Sequence, residues 1–312
     1  MPIDPQIQAV MDQVAALNLP PHYEVGAVQA RVNAALSPRA PGPEVASVVD
    51  RSVPGPDGDV PVRIYSPEGV GLFPVLVYIH GGGMVIGTLD TSDGSCRHLC
   101  DKVGCVVVSV DYRLAPEHTF PAAPEDCYAV TKWVAENSSE IAADPSRIAV
   151  GGESAGGNLA ASVALMTKDR GGPTVLLQVL LYPMTSYDFD SASYHENAEG
   201  YSLTRTTMMW YWDQYLGSKA DVTNPYAIPA SSTNLKGVAP AIVLTAEFDP
   251  LRDEGEAYAK QLSAAEVNTT CTRYDGVIHG FFGMSAVVDK SKEAVNQVAA
   301  ALKTAFAMTG AR

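Results

Sequence analysis

Val150-Gly151-Gly152-Glu153-Ser154-Ala155-Gly156-Gly157-Asn158-Leu159-Ala160 constrains this chain more than any other stretch. An apolar strand, Arg147 to Val150, runs into it, and a helix of mostly small residues, Ala155 to about Lys168, runs out of it. A strand that reverses into a helix without a loop needs little side-chain bulk at the turn, and Gly152, Gly156 and Gly157 meet that need. Ser154, at the apex, is then held in a strained conformation with its hydroxyl at the top of a sheet. The N–H groups that open the helix favour negative charge beside it. These are the surroundings of a nucleophilic serine. The Gly-x-Ser-x-Gly pentapeptide alone leaves two other readings open, a phosphate-binding turn and a plain connection.

Hydrophobic patterning sets the turn in a larger frame. Val45 to Val53 and Val60 to Tyr65 flank Pro54-Gly55-Pro56-Asp57-Gly58 and read as an antiparallel hairpin. Continuous apolar runs at Val75 to Ile79, Cys105 to Val110, Val175 to Leu181 and Ile242 to Thr245 fit strands buried on both faces. Thr269 to Tyr274 is the last strand and is expected at an exposed sheet edge. Helices are expected at about Asp93 to Val103, Pro124 to Asn137 and Glu254 to Ala265, and a final one carries Val295, Val298, Leu302 and Phe306. Such alternation predicts an α/β fold: a mostly parallel eight-stranded sheet with helices on both faces.

Two segments stand outside the alternation. Ile7, Val10, Met11, Val14 and Leu17 mark a first helix, stopped by Pro20-Pro21, and Val25, Val28, Val32 and Leu36 mark a second. Both precede the first strand, so they pack on the core or cover a site. Residues 184–231 hold Tyr187, Phe189, Tyr194, Tyr201, Met208, Met209, Trp210, Tyr211, Trp212, Tyr215 and Tyr226, which reads as a small helical cap inserted at one sheet edge. Its Met and aromatic side chains form the cap's own core or supply the wall of an apolar pocket. The expected division is 1–40 for N-terminal cap helices, 184–231 for the cap insertion, and 41–183 with 232–312 for the α/β body.

The chain of 312 residues carries a net charge of −14 and no basic run, which argues against nucleic acid and anionic membrane surfaces as partners. Cys96, Cys100, Cys105, Cys127 and Cys271 form no Cys-x-x-Cys pair and read as free thiols in a reducing compartment. His195-Glu196-Asn197-Ala198-Glu199 lacks the second histidine of a zinc helix, so no metal is expected, nor any cofactor. Met1 to Pro5 does not open a signal peptide, and no apolar run approaches the ~20 residues of a membrane span, so the cytoplasm is expected.

In such sheets ligands sit at the carboxyl ends of the strands. After Ile79 comes His80-Gly81-Gly82-Gly83-Met84. After Thr245 comes Ala246-Glu247-Phe248-Asp249-Pro250-Leu251-Arg252-Asp253-Glu254-Gly255, and after Tyr274 comes Asp275-Gly276-Val277-Ile278-His279-Gly280-Phe281. With the Ser154 turn, three glycines, a serine, an acid and a histidine all follow strand ends. A serine hydroxyl needs a base, histidine titrates near neutrality, and a buried carboxylate fixes the imidazole. Bare glycine amides can approach a tetrahedral oxyanion. Glu247 and Asp253 are rival acids. Asp253 also suits the first turn of the next helix. Asp111 and Arg113 read as a buried charged pair that fixes their loop, and Asn158 as a support for the helix after Ser154.

Together these residues resemble the α/β-hydrolase fold and, within it, the hormone-sensitive-lipase-like (bacterial family IV) carboxylesterases. The motifs are His80-Gly81-Gly82-Gly83, Asp111-Tyr112-Arg113-Leu114-Ala115-Pro116-Glu117, Gly152 to Asn158, Asp249-Pro250-Leu251-Arg252-Asp253-Glu254-Gly255 and His279-Gly280-Phe281. The resemblance implies Ser154 as nucleophile, Asp249 as acid and His279 as base. It implies the N–H groups of Gly82, Gly83 and Ala155 as an oxyanion hole, and His80 as a brace for the glycine loop. Met84, Met208, Trp212, Leu251 and Phe281 are the expected pocket. Two positions depart from the family: Glu153 stands where Asp or Thr is usual, and Met84 where an aromatic is common. The implied activity is hydrolysis of uncharged short- to medium-chain carboxylic esters through an acyl-enzyme. Amide or lactone hydrolysis by the same triad is chemically close. A non-catalytic small-ligand receptor is the reading from a different class, and it fits poorly because the triad histidine is present. Dimers through the edge strand are common in the family.

Overall fold

A computed structural model describes residues 2–39, 41–217 and 222–307. Eight strands form one sheet in the order β1-β2-β4-β3-β5-β6-β7-β8. They are β1 (Ser47–Gly55), β2 (Gly58–Ser66), β3 (Phe73–Ile79), β4 (Val106–Val110), β5 (Ala143–Glu153), β6 (Val175–Leu181), β7 (Ala241–Phe248) and β8 (Thr269–Ile278). β1 and β2 form the expected hairpin, closed at the Gly55 and Gly58 pair, and β2 joins β4 antiparallel. Every later pairing is parallel.

Strand periodicity divides the core in two. On β3, Val75, Val77 and Ile79 point to one face while Leu76 and Tyr78 point to the other. The first face is covered by α4 (Ala122–Glu136), α5 (Ala155–Asp169) and α8 (Arg252–Ala264). The second is covered by α3 (Asp93–Val103) and α9 (Asp289–Ala307). Because both faces are covered, β3 and β4 are almost wholly apolar.

The two N-terminal helices go to different places. α1 (Pro5–Ala15) is capped by the Asp4 side chain, which accepts from Gln6 N–H at 2.9 Å. It docks on the α3/α9 side: Ile7 is buried there, and Asp4 N–H donates to Gly276 O at 2.9 Å. α2 (His22–Ala35) is kinked at Gly26 (φ 74°) and reaches Tyr211 of the inserted segment through His22. Its apolar stripe faces outward: Val28 is 70 % and Val32 53 % exposed, while Ala30 and Asn33 are buried. Arg31 accounts for that orientation. It donates to Val85 O and Ala115 O, each at 2.8 Å, and pairs with Glu117, so a polar anchor turns inward where spacing predicted an apolar one.

The segment expected to form a cap, residues 184–231, contains α6 (Ala192–Glu196) and α7 (Arg205–Leu216) among its described residues, the latter capped by Thr204; residues 218–221 of it lie outside the described residues. Asn158, one turn into α5, donates to Met184 O at 2.7 Å and Ala227 O at 2.9 Å, so one amide ties together both ends of the inserted segment. Arg113 does not pair with Asp111. Its guanidinium meets Asp126 of α4 at 2.7 Å and Asp57 at 2.8 Å, and its backbone N–H also donates to Asp126. Packing of α4 on the sheet brings in a carboxylate 13 residues away that sequence proximity did not suggest.

The fold aims three strands at one spot. β5 ends at Glu153, before Ser154; β7 at Phe248, before Asp249; β8 at Ile278, before His279. β8 outlasts its expected end at Tyr274 because the register shift between Ala246 and Phe248 absorbs Gly276 (φ 77°). Among the described residues no helix is long and apolar enough to cross a membrane.

The strand-to-helix turn tolerates no side chain at its second glycine. A Cβ on Gly156 would stand 2.0 Å from Ile79 O and 2.6 Å from His80 O. Gly156→Ala is expected to destabilise the protein by about 2 kcal/mol or more through overpacking, read as a lower urea midpoint.

Candidate active site

Ser154 adopts φ 57° and ψ −119°, a left-handed conformation unfavourable for a residue with a Cβ. Its surroundings hold it there. Ser154 N–H donates to Leu181 O at 2.9 Å, and its carbonyl accepts from Asn158 N at 3.1 Å and Met184 N at 3.2 Å. A Cβ on Gly152 would lie 2.4 Å from Gly156 O, so the pinch exists only because both positions are glycine.

His279 Nε2 lies 2.9 Å from Ser154 Oγ, and His279 Nδ1 lies 2.8 Å from Asp249 Oδ2. An ionised carboxylate only accepts, so Nδ1 carries the hydrogen and Nε2 is left to accept from the hydroxyl. Asp249 is completely buried, and its other oxygen accepts from Leu251 N–H at 2.8 Å. The rival acids point elsewhere. Glu247 accepts from Gly276 N–H at 2.6 Å. Asp253, in the first turn of α8, accepts from Ser193 N–H at 2.8 Å and pairs with Arg252.

The cap braces the acid loop, which sequence reasoning missed. Ser193 Oγ donates to Pro250 O at 2.6 Å, and Asn197 Nδ2 donates to Asp249 O at 3.3 Å. No local pattern marks either residue; their role comes from where α6 lands.

Opposite the triad lies the glycine loop. Gly82 (φ 117°), Gly83 (φ 61°) and Met84 (φ 59°) form a left-handed run. A Cβ on Gly81 would stand 3.3 Å from Ser154 Cβ, so the loop lies against the serine; one on Gly83 would strike the Tyr211 ring at 2.2 Å. The N–H groups of Gly82, Gly83 and Ala155 donate to no protein oxygen among the described residues. His80 is buried and donates from Nδ1 to Gly81 O at 2.7 Å. Burial pushes it down to about 4, so it is neutral, and it stacks on Tyr112 with ring centroids 4.3 Å apart. Tyr211, over Gly83, reaches His22 of α2 through its hydroxyl at 2.7 Å.

Met84, Met208, Trp212 and Leu251 are buried together in the core layer that contains the cap. Phe281 is not with them. Gly280 (φ 82°) turns the chain straight after His279, so Phe281 enters the α3/α9 layer beside Tyr182 and Tyr274, at 5.7 and 5.2 Å between ring centroids. Glu153 faces the layer between β5 and α3. It accepts from Ser92 Oγ at 2.7 Å and from Tyr182 OH at 2.9 Å.

A serine on a strained elbow, in line with a histidine and a buried acid at adjoining strand ends, is a geometry that can be compared with known proteins. The sequence profile of the alpha/beta hydrolase fold matches residues 76–283. The chain belongs to the α/β-hydrolase fold family. Its branch is the hormone-sensitive-lipase-like one. The carboxylic ester hydrolase LipN of Mycobacterium tuberculosis is 44% identical over 276 residues, covering 86% of this chain and 73% of LipN. Esterase LipI of the same organism is 40% identical over 306 residues, covering 96% and 94%. Among solved structures, the ester-hydrolase EH1AB1 from the metagenome of Lake Arreo superposes with a TM-score of 0.93 at 39% identity, covering 98% of this chain and 99% of that one. The fold and family that the motifs implied are therefore those the chain has.

Within this α/β hydrolase, Glu254 is a second buried carboxylate near the triad. Its Oε1 accepts from the N–H groups of Thr185 at 2.6 Å and Ser186 at 3.2 Å. Burial, reinforced by the charge of Asp249, pushes it up to about 8 despite those bonds. The folded protein thus holds a proton that the unfolded chain has released above its ordinary range near 4.5. Its contribution to stability is full below that range and declines as pH rises toward 8. Glu254→Gln mimics the protonated form, so its melting temperature is expected to exceed the parent's at pH 8 and to match it within a few degrees at pH 5.

Proposed function

We propose that this protein is a serine carboxylesterase that cleaves uncharged esters of short to medium acyl chain through an acyl-enzyme. The observation that carries the reading is the continuous hydrogen-bonded line from Ser154 Oγ through His279 to fully buried Asp249. Relatives named as ester hydrolases support the reaction class.

In this mechanism Ser154 Oγ attacks the ester carbonyl as His279 Nε2 takes its proton. Asp249 stabilises the imidazolium without itself becoming protonated. Negative charge develops on the carbonyl oxygen, and the free N–H groups of Gly82, Gly83 and Ala155 are its donors. One such donor is typically worth ~3 kcal/mol in the transition state. Their backbone is fixed in advance by the left-handed run at Gly82 to Met84. The tetrahedral species collapses, the carbon–oxygen bond to the alcohol breaks, and His279 returns the proton to the departing alkoxide. Water then repeats the sequence on the acyl-enzyme and frees Ser154.

Met84, Met208, Trp212 and Leu251 are the side chains we assign to the wall beside the serine, with residues 184–231 and α2 as the cap and residues 41–183 and 232–312 as the body. The family resemblance supports short to medium acyl chains. β8 lies at the sheet edge with Thr270 and Cys271 exposed, which supports pairing between two copies there. Five free cysteines, four of them buried, support a reducing compartment such as the cytoplasm.

The purified protein should hydrolyse p-nitrophenyl butyrate without added metal, and the rate should fall at acid pH, where a protonated imidazole cannot take the serine's proton. Ser154→Ala should reduce hydrolysis to background while leaving the melting temperature close to the parent's. Undiminished turnover by that variant would refute the assignment.

A further inference from the structure

Glu153, the residue before Ser154, has distinctive company in the structure. Glu153 has no Lys or Arg within ion-pair distance among the described residues. Its two oxygens are held by two neutral hydroxyls, Ser92 Oγ and Tyr182 OH. Its side chain runs under the oxyanion loop: a Cβ on Gly81 would sit 3.2 Å from Glu153 Cγ. Tyr182 is fully buried at the end of β6 and adopts φ 35°, left-handed backbone that a bulky residue avoids. Its N–H is held by Leu244 O at 2.6 Å. The phenol ring flanks the imidazole of His279, with centroids 4.8 Å apart and planes inclined by 60°. Strain, a buried hydroxyl on a carboxylate, and an aromatic contact with the general base converge on one side chain.

Resting on the esterase reading above, we propose that Glu153 and Tyr182 form a second carboxylate-anchored brace on His279, beside the one from Asp249, that positions the imidazole and stabilises its protonated form. Glu153 anchors the phenol. The phenol restrains the ring that must swing between Ser154 and the leaving alkoxide. The anionic charge behind it favours the imidazolium that forms twice per turnover. Both are positioning residues, since neither touches the ester. The other titratable groups packed here contribute little charge near neutrality. Burial, followed by the charge of Glu153, holds the phenols of Tyr182 and Tyr78 well above their ordinary range, and burial does the same for the Cys96 thiol. Asp93 on α3 is paired with Arg97 at 2.7 Å. Asp249 is left as the other anion facing this cluster.

Two near-isosteric variants and their combination test the brace. Tyr182→Phe keeps the ring and removes the hydroxyl. Glu153→Gln keeps an acceptor for that hydroxyl and removes the charge, and Ser92 can reverse its own hydrogen bond to suit the amide. With p-nitrophenyl butyrate, each variant is expected to lose roughly tenfold in kcat with KM changed less than twofold. Loss of the negative charge in Glu153→Gln should move the acid limb of the kcat/KM profile about half a pH unit to lower pH. The double variant should be no slower than the slower single one, because both act through one contact. Glu153→Gln with the parent's kcat and an unmoved acid limb would overturn the brace, as would losses that multiply in the double variant. Either result leaves the esterase assignment standing. An inactive parent, or an active Ser154→Ala variant, would instead remove the reading on which the brace rests.

Discussion

The approach of Gly156 to the end of β3 governs the rest of this molecule. Only because residue 156 lacks a Cβ can α5 start against the Ile79 and His80 carbonyls, and that start goes with the left-handed turn at Ser154. Two consequences follow from one steric fact. The Ser154 hydroxyl is lifted above the sheet, and the glycine loop that follows β3 is brought against it. A looser junction would still carry a serine, but its hydroxyl would lack both a fixed direction and the neighbouring amides.

Around that junction the sheet works as an aiming device. Strand order places β5, β6 and β7 side by side, with β8 beyond. Ser154, Tyr182, Asp249 and His279 each follow one of those four strands. Side chains from positions 154, 249 and 279 meet within hydrogen-bond distance because parallel strands deliver their carboxyl ends to a common edge. The cap then stabilises the loops from above: Ser193 and Asn197 hold the acid loop, Tyr211 lies over Gly83, and His22 joins α2 to Tyr211.

Three side-chain directions depart from what adjacency and spacing suggest. Arg113 lies two residues from Asp111, yet it sits against Asp126, because an ion pair is chosen by which helix packs overhead. Val28, Val32 and Leu36 have helical spacing, yet they face outward; hydrophobic period identifies a stripe but cannot say that a polar anchor such as Arg31 will outcompete it for the interior. Phe281, expected in the pocket, follows His279 by two residues, and the glycine between them sends it to the other side of the sheet. Each case involves a direction in space, which periodicity and adjacency do not encode.

The order of apolar runs, the glycines at the elbow and loop, and a serine, acids and a histidine after strand ends were readable from the chain, because each depends on local chemistry: strand burial, steric room, and the acid–base character of a side chain; only the family resemblance singled out Asp249 from Glu247 and Asp253. Tyr182 was not readable, although it adjoins the base, and neither were Ser193 and Asn197. Their significance arises from contacts between segments tens of residues apart, and such contacts are settled when helices and strands pack against one another. Local preference selects the elements and the reacting groups; the close packing of the folded interior selects their neighbours.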